Sequence, residues 1–367
     1  MLADFLEPFW EALFEKTGVF GIFLAAAAPV ILIIVLILII FAFYSLFKVA
    51  KKKRLEKMYH EARYLEYRER YDEAWELYKK YVKKTKPSAE VCYHIGLLCA
   101  SAIAKDCEWG AHEKDANPSY WFNIAKAMGY SDAETPILKI KFSENFPSDL
   151  LECAKITKSV KELCKKQIPE ANELYEEIKK EIEENVSAKV ITYAEGEAVL
   201  GDSKAQIVVA KDRLQQRKDK EGLGWIAFSA ENKNADAQFM MADFYRNGSW
   251  DNLIKKDSKK AFEFYEKAAE NGISKAKIAL GEMYYQGEGC QKDLLKAAAS
   301  FAKVVTDEKD PDAAHNAAVC YYQYANECAV KKGLKTPEDK KRDNEYMRYM
   351  LYYESYEHMA KEYGYKG

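Results

Sequence analysis

Histidine is scarce in this chain of 367 residues. The five present, at positions 60, 94, 112, 315 and 358, stand far apart in sequence. Residues so isolated suit helix packing or the surface better than acid–base catalysis or metal ligation. The chain also lacks HExxH, GxSxG and GxxxxGK[ST] signatures, and no GxGxxG stands between a strand and a helix. Gly281, Gly287 and Gly289 belong to a repeated turn, and Trp250-Asp251-Asn252 is too short for a calcium loop. No nucleophile–base constellation emerges. The expectation is a protein without enzymatic activity, cofactor or metal.

Strong net charge is missing too. Fifty-six Lys and Arg against 58 Asp and Glu give −2, and the helical faces mix both signs, so no nucleic-acid partner is expected. No CxxC pair occurs among the eight cysteines. Cys99/Cys107 and Cys320/Cys328 are eight apart in helical patterns, about 12 Å on one helix and beyond disulfide reach. Reduced, buried thiols are expected.

Charge is absent altogether from the 31 residues Thr17 to Phe47. A bilayer core about 30 Å thick needs roughly 20 apolar residues as a helix. A cleaved signal peptide fits poorly, because its apolar run is about half this length and its leading segment is basic. Here the lead carries Asp4, Glu7, Glu11 and Glu15 against Lys16. Lys48, Lys51, Lys52, Lys53, Arg54 and Lys57 follow the run. Basic flanks stay in the cytoplasm. A single-pass membrane protein is expected, with its N-terminus outside and its C-terminal body cytoplasmic. The compact chain points to a bacterial inner membrane.

Residues 1–17 form an acidic lead in which Phe5, Phe9, Trp10, Leu13 and Phe14 share one helical face. Trp10 suits the lipid–water boundary. The lead is either an interfacial helix or the outer start of the membrane helix. The membrane helix is placed at 18–47, where Pro29 can kink it and Ala25 to Ala28 permit close helix approach. The segment 48–58 is basic. Lys48, Lys51, Lys52, Lys53 and Arg54 set topology and can also meet anionic lipid headgroups. Helical repeats are expected over 59–142, an irregular helical spacer over 143–190, and further repeats with a capping helix over 191–367.

The repeats show in four stretches, beginning at Ser203, Ala235, Ser274 and Pro311. Their shared alanines, Ala205, Ala237, Ala276 and Ala313, are 32, 39 and 37 residues apart. Five residues beyond each stands a small residue: Ala210, Ala242, Gly281 and Ala318. Tyr245, Tyr284 and Tyr321 recur three further on, and Arg213 breaks that column. A second helix repeats as well, with Ala230-Glu231-Asn232 matching Ala269-Glu270-Asn271. In YWFNIAKAMGYSDA, Gly129 precedes Ala133 by four, as Gly272 precedes Ala276. Periods of this length signal stacked supersecondary units.

Small residues, then LGxxYxxG, a polar loop and KAxxxYxKAAxxG resemble the Sel1-like repeat family, itself similar to tetratricopeptide repeats. The resemblance is strong over 190–367, loose over 88–133 and weak between Ser143 and Val190. It implies an all-α, right-handed solenoid of helix pairs. Some secreted members carry paired cysteines where this chain has Ala269 and Ala276, which fits a reducing compartment. It also implies a scaffold or adaptor that assembles partner proteins at the membrane. The other reading is a structural subunit of a membrane machine (secretion, envelope or defence) whose membrane helix is itself an interface. Tyr346, Tyr349, Tyr353 and Tyr356 form a stripe on the last helix, with Tyr352 and Tyr363 beside it. That stripe is either the inner face of a cap or a docking surface.

Overall fold

A computed structural model describes residues 8, 19–105, 107, 115–249 and 252–366. Among them are seventeen α-helices and no strand, and the architecture is an all-α solenoid of helix pairs. In chain order they are α1 (Val19–Tyr67), α2 (Tyr71–Lys84), α3 (Ala89–Ala104), α4 (Pro118–Ala127), α5 (Glu134–Asn145) and α6 (Leu150–Lys165). Next come α7 (Pro169–Ser187), α8 (Tyr193–Leu200), α9 (Ser203–Gln215), α10 (Asp219–Glu231), α11 (Ala235–Asn247) and α12 (Ser258–Glu270). The last are α13 (Ser274–Gln286), α14 (Leu294–Glu308), α15 (Pro311–Lys331), α16 (Pro337–Arg342) and α17 (Asn344–Glu362). The chain divides into two compact units, residues 1–137 and 138–367.

Helix starts follow a simple chemistry. Asp202, Asn234, Asp257, Asp293, Asp310 and Asp343 each place a side-chain oxygen on an amide of the following first turn. Each satisfies one of the four donors that a helix start leaves unpaired. The turns that end the second helix of a pair need a left-handed residue. Gly272 takes that position at φ 95°, and Lys233 and Lys309 take it at 65° and 53°.

In the first unit, α1 runs unbroken through Pro29 for 49 residues. Val30 and the large apolar side chains from Leu32 to Val49 are between 46 and 70% exposed. The same helix ends inside a core, with Ala62 and Leu65 buried. Its last turns pack on α2 and α3. The Tyr59 hydroxyl donates to Glu90 at 3.1 Å, and the Arg63 guanidinium donates to His94 Nε2 at 2.7 Å. Between α3 and α4 the fit is close: a Cβ at Gly96 would lie 2.6 Å from the Phe122 ring.

The second unit carries a core along its whole length. One stretch joins Ile156 and Val160 of α6, Leu174, Ile178 and Ile182 of α7, and Trp225 and Ile226 of α10. Segment 143–190 thus packs in one core with the helices after it. Further along, Tyr265, Ala276 and Met283 form the next stretch, then Phe301, Val304, Ala314 and Ala360. Three of the four anchor alanines, Ala237, Ala276 and Ala313, are at most 1% exposed. All eight cysteines are free. Burial pushes the Cys153 and Cys320 thiols up to about 12, so both stay protonated and inert.

Candidate partner-binding surfaces

Helix α1 presents the first surface. The described residues hold one helix long and apolar enough to cross a membrane, with an 18-residue window of mean hydropathy 2.8 and none of that window buried. At 100° per residue, Lys48, Lys51, Lys52, Lys53, Arg54 and Lys57 fall on every side of α1. They form a collar rather than a stripe, and all six are exposed. Lys52 sits 3.8 Å from Glu56. Trp10 and the acidic lead lie outside the described residues.

The tyrosine stripe of α17 turns toward α15. Tyr349 and Tyr356 stack on Tyr321 with ring centroids 6.2 and 5.7 Å apart, and Tyr353 meets Tyr322 at 5.2 Å. Tyr346 is half-buried beneath Lys340. The four rings of the stripe are therefore engaged within the cap. Tyr352 also meets Tyr321, at 5.1 Å, while Leu351 and Val330 are 59 and 80% exposed.

Spacing alone does not reveal the polar ties between neighbouring pairs. The residue after each anchor alanine is Gln206, Gln238, Lys277 and Ala314. The Gln206 and Gln238 amides donate to Ala198 and Ala230 carbonyls, each at 3.2 Å. The Asn271 side-chain amide, at the end of α12, donates to Gln238 Oε1 at 2.9 Å. Gln238 thereby ties α11 to the helices on both sides of it. Lys277 instead reaches Asp307 at 2.6 Å. Arg213, the break in the tyrosine column, is held by Glu195, by Asp212 at 2.8 Å and by Glu221 at 3.4 Å. Arg246 bridges Glu282 and Glu288 at 2.9 and 3.1 Å. Such clustered and partly buried pairs fix the stacking of repeats more than they invite a ligand.

A groove runs between α12 and α14 over α13. One part, of 380 Å³, is lined by Phe262, Glu266, Tyr284, Lys292, Asp293 and Lys296. The adjoining part, of 210 Å³, shares Glu266 and Tyr284 and adds Glu270, Leu280, Ser300 and Lys303. Burial raises the Glu266 carboxyl above its usual range, and Glu270 and Glu263 push it further while Lys296 opposes them. Lys296 Nζ stands 5.4 Å from the centre of the Tyr284 ring. The repeat pattern picks out Tyr284, Leu280 and Glu270 among these residues, but not Phe262, Glu266 or Ser300. Among the described residues, no group of three His, Cys, Asp or Glu side chains could hold a metal ion.

The family model that matches this chain is the Sel1 repeat, over residues 235–273 and 274–299. The chain is 37% identical over 92 residues to Chitin synthase regulatory factor 1 of Schizosaccharomyces pombe. That match covers 25% of this chain and 20% of the yeast protein. Among solved structures, a Sel1 repeat protein from Oxalobacter formigenes is 25% identical with a TM-score of 0.28, over 35% of this chain and 88% of that one. A protective antigen of uropathogenic Escherichia coli with an SLR fold is 18% identical with a TM-score of 0.33, over 78 and 65%. The chain therefore carries Sel1 repeats, which mediate protein–protein interaction.

Proposed function

We propose that this protein is a membrane-anchored scaffold that binds and assembles partner proteins at the cytoplasmic face of a membrane. The observation that carries the reading is α1. One uninterrupted helix bears an exposed apolar run, then a basic collar, then residues buried in the first helical pairs. The collar favours an upright helix, since a helix lying in the interface keeps its charges on one face. Basic residues after the run favour a cytoplasmic body, and their number suits anionic headgroups. The yeast relative is named as a regulatory factor, in keeping with a role exerted through binding. No catalytic step enters this reading.

Affinity purification of the full-length protein in mild detergent, beside a version lacking residues 1–57, tests it. Soluble partners retained by both versions are expected. Partners lost with residues 1–57 would make the membrane helix a subunit interface, and the scaffold reading would give way to a structural subunit of a membrane machine.

A further inference from the structure

The groove over Tyr284 exists because one aromatic ring is missing from a repeated arrangement. In the preceding interval, Phe264 of α12 stacks on Tyr245 of α11, with ring centroids 5.6 Å apart and planes 15° apart. Lys260 stands 5.3 Å from the Tyr245 ring and Lys267 stands 5.0 Å from the Phe264 ring. In the last interval, Tyr356 of α17 stacks on Tyr321 of α15. Between them, the same column holds Tyr284, the same lysine above it is Lys296, and Lys303 matches Lys267. The ring is gone. Burial fixes the correspondence: Ala261, Tyr265 and Ala268 of α12 match Ala297, Phe301 and Val304 of α14, each 36 positions on, and all six are at most 3% exposed. Phe264 then matches Ser300. Ala268 likewise matches Ala360, both fully buried, which pairs Phe264 with Tyr356.

A second change falls in the same interval. Glu266 occupies the position taken by Ala227 in α10, 39 residues earlier, and by Ala302 in α14, 36 later. The interval that lost a ring has gained a half-buried carboxylate, flanked on the same wall by Glu270 and Glu263. From Phe262 to Glu270 that wall rises about 12 Å, the reach of roughly four extended residues.

We propose that this groove seats an extended segment of a partner protein, with an aromatic side chain on Tyr284 where Phe264 sits on Tyr245. A Lys or Arg beside that aromatic residue would be met by Glu266 and Glu270. Lys303 would stand over the incoming ring as Lys267 stands over Phe264, a placement that favours tryptophan. Of the other charged residues lining the groove, Asp293 caps α14, and Lys277 and Lys292 pair outside it with Asp307 and Glu327 at 2.6 and 3.8 Å. The proposal deepens the partner-binding reading and rests on it.

The probe is the peptide acetyl-Gly-Arg-Trp-Ala-Gly, fluorescein-labelled at its C-terminus, titrated by anisotropy against the full chain in detergent. Saturable binding with Kd of about 0.1–1 mM is expected. Replacing the peptide tryptophan by alanine should weaken it at least about tenfold. Ser300→Phe should fill the gap from within, abolish binding and leave the fold intact, as its melting temperature would report. Glu266→Gln, which removes a charge and no packing, should weaken binding by about three- to tenfold and keeps the test alive should Ser300→Phe misfold. No saturable binding by the wild-type chain, or binding unchanged in either variant, overturns the proposal. Such a result leaves partner retention in the purification experiment untouched, so the two readings fail separately.

Discussion

Gly281→Ala reverses the usual effect of replacing a helical glycine. Gly281 is the eighth of thirteen residues in α13. On helix propensity alone, alanine there would stabilise by about 1 kcal/mol. The added Cβ, however, would lie 2.6, 2.7 and 2.8 Å from three carbons of the Phe301 ring. Carbon contacts are optimal near 3.5–4.0 Å, so the ring has to withdraw by about 1 Å. Phe301 is 3% exposed and shares its core with Ala297, Val304 and Ala317. Overpacking of such a core costs about 2–3 kcal/mol, and subtracting the propensity gain leaves a net loss of about 1–2 kcal/mol. For a unit of this size the melting temperature should fall by about 3–6 °C. Gly224→Ala in α10 is the matched control. Its Cβ would meet a single atom at 2.7 Å, the Cδ2 tip of Leu151, which can rotate away. That variant should melt at or above the parent temperature. Thermal unfolding followed by circular dichroism at 222 nm compares them. A Gly281→Ala protein as stable as the parent would show that Phe301 yields freely, and the close-approach explanation of the small-residue column would fail.

Further outcomes follow from the polar ties and the collar. Arg213→Ala should cost about 2 kcal/mol, less than a fully buried pair because Arg213 and Glu195 keep 15 and 13% side-chain exposure. Burial raises the Glu195 carboxyl, but the Thr192 amide and hydroxyl and Arg213 outweigh it and hold it below the usual range. Its stabilisation is present above the ordinary glutamate value of about 4.3 and is lost as pH falls through the lowered one. Urea midpoints of the parent should therefore drop more steeply below about pH 4 than those of Arg213→Ala. Gln238→Ala should cost about 1 kcal/mol by removing both ties, because the Ala230 carbonyl keeps the Lys233 amide and the Asn271 amide keeps the Lys267 carbonyl, read from the same urea curves. Replacing Lys48, Lys51, Lys52, Lys53 and Arg54 by Gln should give mixed or inverted orientation, read by protease protection in membrane vesicles. Retained uniform orientation would remove the collar from the topology argument.

The repeat was legible because its most regular positions are where neighbouring helices pack most tightly. Ala237, Ala276 and Ala313, and five residues on Ala242, Gly281 and Ala318, are small because a neighbouring helix leaves no room for more. Smallness at a fixed interval survives in sequence even when the surrounding side chains vary. The segment 143–190 gave no such signal. There the contact is made by larger side chains, Ile156, Val160, Ile178 and Ile182, whose partners lie on α8, α9 and α10. Even its polar tie, Lys161 to the Leu200 carbonyl at 2.5 Å, spans 39 residues. The tyrosine stripe was visible, but one-dimensional spacing says which residues share a face and not which way the face turns. Tyr321, Tyr322 and Tyr324 on α15 supply the rings that turn it inward. The groove was hidden for another reason. Its defining feature is Ser300, an ordinary residue that matters only because Phe264 and Tyr356 occupy the equivalent place.

The continuity of α1 bears on how an anchor of this kind works. A flexible linker raises a partner's local concentration and leaves orientation free. Here no glycine or proline stands between Val30 and Tyr67. From Val49, at the end of the apolar run, to Ala62, buried in the repeats, the helix rises about 20 Å. The Tyr59–Glu90 and Arg63–His94 bonds lock its last turns onto α3, so rotation of α1 is rotation of the first repeats. In the anchored arrangement proposed above, orientation and distance from the bilayer would be set together. Inserting Gly-Ser-Gly between Lys57 and Met58 separates the two effects, because it keeps the protein in the membrane and frees its angle. If co-purifying membrane partners survive the insertion at parental yield, concentration is enough and the helix serves as a tether. If they are lost while soluble partners remain, the rigid helix sets the geometry in which membrane partners are met.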